Sequence, residues 1–106
     1  MLKTAFFAAL VATSLPALAD TPATTKLAAD VRVSETATRL APADGGAYIE
    51  LAQVYRRAGR ISDAVMAYRA ALARDNVMMV TPNGGSIWSH EVARAALAHV
   101  PQLAAR

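Results

Sequence analysis

The chain has 106 residues, carries a formal net charge of +3 and contains no cysteine. Its apolar fraction of 55% overstates the available core, because alanine supplies 26 of those positions. That side-chain volume suits one small domain and excludes a multilayer enzyme, and no disulfide exists to brace a complex site.

Residues 1–19 place Lys3 ahead of an apolar run from Ala5 to Ala12, followed by Pro16 and the small-x-small triplet Ala17-Leu18-Ala19. This order predicts a secretory signal peptide cleaved after Ala19 and an exported, periplasmic product. The run is shorter than the ~20 apolar residues that span a bilayer, and no cysteine follows it to carry a lipid, so no stable membrane anchor is expected. Loss of Lys3 leaves ten Lys and Arg against eight acidic residues. So weak and scattered a charge argues against nucleic acid as a partner.

Residues 20–26 are polar, Thr-rich and contain Pro22, which predicts a flexible N-terminal segment before a domain over 27–106. Between Leu27 and Leu40 the pattern fits either an extended piece around Val31 and Val33 or a weak helical face made by Leu27, Val31, Ala37 and Leu40. The helix, ending near Ala41, is the preferred reading. Pro42 and Gly45-Gly46 then signal a turn. From Ala47 to Ala58, Tyr48, Leu51, Ala52, Tyr55 and Ala58 recur at steps of three and four and predict one apolar helix face. The opposite face carries Glu50, Gln53, Arg56 and Arg57. Gly59 supplies a helix terminator, Ser62 a cap, and Ala64, Val65, Tyr68, Ala71 and Leu72 mark a second helix over about 63–74. Helices joined by so short a link pack antiparallel.

The spacing of Tyr48, Leu51, Ala52, Tyr55, Gly59, Ala64, Tyr68, Ala71 and Leu72 resembles the tetratricopeptide repeat (TPR), with a full repeat over 45–78. Small Ala52 and Ala64 allow close helix approach, while Tyr55 and Tyr68 fill the space beside them. Pro42 precedes Asn76 by one repeat length of 34 residues, so Thr36 to Ala43 resembles a degenerate half-repeat. Asn76 departs from the proline usual at its position, which predicts a looser end to the second helix. The resemblance implies an all-α antiparallel hairpin whose first helix lines an inner, peptide-binding side. It places Ile49, Gln53, Arg56 and Arg57 on that side.

A single repeat cannot cover its own apolar face. The expected cover is residues 77–88, where Val77 to Val80, the turn signal Thr81-Pro82-Asn83-Gly84-Gly85 and Ser86-Ile87-Trp88 predict a short β-hairpin. A capping helix follows over about 90–99, capped by Ser89 and buried through Val92, Ala95, Ala96 and His99. Met78, Met79 and Trp88 read either as that cover or as a binding surface.

Ser89-His90-Glu91 contains a nucleophile, a base and a carboxylate. Neighbouring helical side chains diverge by about 100°, however, which leaves no relay geometry and no catalytic residue to name. His90 and His99 fall on opposite sides of a helix, so no metal site is expected, and no glycine pair has a phosphate-loop context, so no cofactor is either. Arg56, Arg57 and Arg60 read either as a patch for an acidic partner or as a solvated helix end. The function expected is an exported, non-catalytic module docking a protein or peptide partner through Ile49, Gln53, Arg56, Arg57 and Arg60. The alternative is a structural protein that completes its short core as a homo-oligomer.

Overall fold

The computed structural model describes residues 22–100. The expected signal peptide, its cleavage point after Ala19 and the residues from Pro101 onward lie outside that range. In chain order the described elements are α1 (Pro22–Leu40), α2 (Gly45–Arg57), α3 (Ile61–Leu72), β1 (Met78–Val80), β2 (Ser86–Trp88) and α4 (Ser89–Ala98). The chain is mostly helical, with a two-stranded antiparallel sheet inside the stretch expected to form a hairpin.

α1 begins at Pro22 and so takes in residues 22–26, read from sequence as a flexible segment. Proline at a first helical position gives up an N–H that would have no helical partner anyway, and Lys26 pairs with Asp30 one turn on at 3.0 Å. Lacking large apolar side chains, residues 22–26 stay exposed. Only part of the expected α1 face is buried: Val31 and Thr38 pack inward, whereas Ala37 and Leu40 face out.

Gly45 and Gly46, expected as a turn, are instead the first residues of α2 and are buried. The Asp44 side chain caps the helix by accepting the Gly46 N–H at 2.9 Å. A methyl group on Gly45 would lie 3.0 Å from the Asp75 carbonyl oxygen, so any larger residue would push this helix start and the segment after α3 apart by a few tenths of an ångström. α2 packs against α1, α3 and α4, which makes its buried face broader than a single stripe. Ile49 and Val54 are therefore buried along with Leu51, Ala52 and Tyr55, while Tyr48 and Ala58 are half-buried.

At the end of α2, the N–H of Arg60 donates to the Tyr55 carbonyl at 2.8 Å and that of Gly59 to the Arg56 carbonyl at 3.0 Å. This terminus needs the left-handed backbone that Gly59 adopts at φ 77°. α3 follows at Ile61 without a side-chain cap; Ser62 lies exposed in its first turn and does not cap it. Ala64, Ala67, Tyr68 and Ala71 are buried against α2, the alanines allowing close approach.

Ser89 fastens the C-terminal elements. It is 0% exposed. Its hydroxyl accepts the Val77 N–H at 3.0 Å, and its own N–H donates to the Val77 carbonyl at 2.7 Å. The expected helix cap comes from elsewhere: Asn76 Oδ1 accepts the His90 N–H at 2.9 Å, so the residue read as loosening the repeat instead caps α4. α4 buries Ala93, with Val92, Ala96 and Leu97 packed beside it; Ala95 and His99, expected inside, are exposed. Ser89→Ala leaves the Val77 N–H without its partner in a buried site, and we expect a loss of about 1–3 kcal/mol in urea denaturation. An unchanged midpoint would show that this junction is not a constraint.

Candidate functional site

α2 is the central helix, and one strip of it remains uncovered. Glu50, Gln53 and Arg57 occupy steps of three and four, so they share that strip. None of the three makes a hydrogen bond or ion pair among the described residues. Other polar side chains on α2 are engaged. Tyr55 donates to Glu35 Oε2 at 2.6 Å, Arg56 donates to the Tyr68 hydroxyl at 3.3 Å, and the Tyr48 hydroxyl accepts from Arg74 at 3.1 Å.

Two grooves meet along this strip. The first, about 510 Å³, lies between α2 and the hairpin; Glu50 and Gln53 face Met79, Val80, Pro82, Ile87 and Val92, with Ile49 at the base. The second, about 290 Å³, lies between α1 and α2, where Asp30, Val33 and Ser34 face Glu50, Gln53 and Arg57. Glu50 and Gln53 line both. The pair thus forms a track across α2, apolar under the hairpin and polar beside α1.

The five residues expected to contact a partner therefore separate. Gln53 and Arg57 stand on the track. Ile49 is 0% exposed, held beneath the hairpin and α4, and is core rather than contact surface. Arg56 turns toward α3 and Tyr68, because consecutive helical positions diverge by about 100°. Arg60 pairs with Asp63 at 2.8 Å and lies 4.6 Å over the Tyr55 ring. Asp63 and the ring hold it at the helix junction, away from the track. Sequence reasoning passed over Glu50, Asp30 and Ser34; the spacing of Glu50 to Gln53 and Arg57 was readable, but the side of α2 that α1 leaves open was not.

A separate apolar groove of about 520 Å³ runs between the first half of α1 and the end of α2, past Leu27, Val31 and Ala58. Two of its polar side chains are already engaged within the fold, Glu35 by Tyr55 and Arg60 by Asp63. Two side chains of the catalytic-looking triplet, Ser89 and His90, are likewise engaged. Ser89 accepts from Val77, and a His90 ring nitrogen lies 2.7 Å from the Arg74 carbonyl. No group of three His, Cys, Asp or Glu residues that could hold a metal ion exists among the described residues. No described helix is long and apolar enough to cross a membrane.

The hairpin settles the position of the residues read two ways. Met79 and Ile87 are half-buried and point inward, whereas Met78, Val80 and Trp88 are exposed. Comparison with known protein families, with curated proteins and with solved structures finds no match to this chain.

Burial, and then the hydrogen bond to Glu35, push the Tyr55 phenol up to about 12. A phenol that ionises at higher pH in the folded chain keeps its proton after the unfolded chain has lost it. Its contribution to stability is therefore complete below pH ~10 and is lost as pH rises from there through about 12. Glu35→Gln should bring the Tyr55 titration, followed by NMR of the ring, down toward the ordinary tyrosine value. An unmoved titration would remove Glu35 as a cause.

Proposed function

We propose that the chain is an exported, non-catalytic protein-interaction module of TPR type, acting in the periplasm after loss of residues 1–19. It docks an extended segment of a partner protein across α2. The observation that carries this reading is the run of polar side chains, Glu50, Gln53 and Arg57, that have no partner among the described residues and stand at the junction of two grooves.

The chemistry of the track describes the segment it fits. The carboxamide of Gln53 offers both donors and an acceptor, which suits a peptide group laid across the helix. Arg57 pairs with a carboxylate of the partner. Under the hairpin, Met79, Pro82, Ile87 and Val92 offer apolar walls to a side chain of the segment. The basic contribution thus narrows to Arg57, and the apolar contact passes from Ile49 to the hairpin side of the groove.

Selection from a displayed random-peptide library tests the reading. We expect recovered peptides to pair an apolar residue with an acidic one, and to lose at least about tenfold in affinity for Gln53→Ala combined with Arg57→Glu. Arg56→Ala should leave their affinity unchanged. Peptides that bind the double variant as tightly as the parent would remove the track from the account.

A further inference from the structure

We propose that β1 is a self-pairing edge, through which two copies of the chain join their hairpins into one four-stranded antiparallel sheet. This edge borders the groove beside α2, which Met79 and Val80 help to line, but the inference is argued from the strand backbone and does not rest on the docking reading.

The hydrogen-bond ladder carries the argument. β1 and β2 pair in the register Met78 to Trp88, Met79 to Ile87 and Val80 to Ser86. At the two ends of the ladder, the Ser89 N–H donates to the Val77 carbonyl at 2.7 Å and the Thr81 N–H to the Gly85 carbonyl at 2.9 Å. In an antiparallel pair, bonded and non-bonded positions alternate, so Met79 and Ile87 form the bonded pair between those ends. Met78 and Val80 then direct their backbone N–H and carbonyl groups away from β2, along the outer edge of β1. The only extensive neighbour of β1 among the described elements is β2.

This edge is complementary to itself. A two-fold axis through Met79 sets Met78 of one copy opposite Val80 of the other, and both residues present outward donors and acceptors. Each copy then gives two N–H groups and two carbonyls to the new ladder. Registers displaced by one residue would set a bonded position against a non-bonded one and lose these bonds.

Side chains agree with the backbone. Met78 is 50% exposed, Val80 80% and Trp88 41%, all on the outer face of the hairpin, so the joined sheet would align two such sets on one face. No charged residue occurs from Val77 to Ser89, so no like charges oppose each other across the axis. Edge strands are ordinarily guarded by lysine or an inward charge, and β1 carries neither. Three residues per strand bury little area, below that of a standard stable interface, which makes this a weak, concentration-dependent dimer.

Sedimentation velocity on the purified chain from about 10 µM to about 1 mM tests it, with amide hydrogen exchange by NMR over the same range. We expect dimer to accumulate with concentration while the Met78 and Val80 amides become protected and Met79, already bonded, changes little. Val80→Lys and Val80→Pro should each weaken association at least tenfold with helical circular dichroism unchanged, since the Val80 N–H serves no bond within the hairpin. A monomer at every concentration overturns the proposal. So does a dimer that survives both variants, or one whose protection falls on α1 instead of β1.

Discussion

The arrangement depends on a small polar junction buried where four segments meet. Ser89 lies beneath the start of α2, and a methyl group on Gly45 would come within 3.4 Å of its hydroxyl. Its hydroxyl and N–H both serve Val77, and the neighbouring His90 is held through Asn76 and the Arg74 carbonyl. A buried hydroxyl is costly unless bonded, and among the described residues every buried side-chain nitrogen and oxygen has a partner. The junction therefore admits few alternative geometries. It fixes how the hairpin leaves α3 and how α4 returns against α3 and α2.

That return decides which part of α2 stays open. A small alanine-rich core would leave a two-helix unit with its apolar face in water, and α1, the hairpin and α4 supply the missing cover. Arg74 adds a tie on the opposite side, donating to the Pro42 carbonyl at 3.0 Å and lying 4.4 Å over the Tyr48 ring. The bend between α1 and α2 is thus held to the end of α3. With its flanks covered, α2 presents Glu50, Gln53 and Arg57 to the two grooves without a partner among the described residues, and the proposed docking rests on these side chains.

Much of the helical architecture was legible because its signals are local. The small and large residues at positions 52, 55, 64, 68 and 71, the glycine at 59 and the turn residues from 81 to 85 each act over a few positions, and each appears where its local chemistry requires. The misreadings share a cause in tertiary contact. Ile49 looked outward because a two-helix unit has one buried stripe, whereas α2 has neighbours on three sides. Gly45-Gly46 looked like a turn because glycine for close approach and glycine for bending read the same in a sequence. Ser89 and Asn76 looked like a local cap and a defect because their partners lie across the fold. Of the proposed track, Gln53 and Arg57 were legible through their helical spacing to Glu50, whereas the engagement of Arg56 and Arg60 within the fold was not, because it depends on Tyr68, Tyr55 and Asp63.

The central claim is that packing leaves one track on α2 for a partner segment, and its most direct test is NMR shift mapping of the isotope-labelled chain with a bound peptide. The account predicts that shifts concentrate at Glu50, Gln53 and Arg57, with Ser34 on one side and Met79 to Pro82 on the other, while Arg56 and Tyr68 stay still. Shifts centred on the groove of Leu27, Val31 and Ala58, with the α2 strip unchanged, would contradict it.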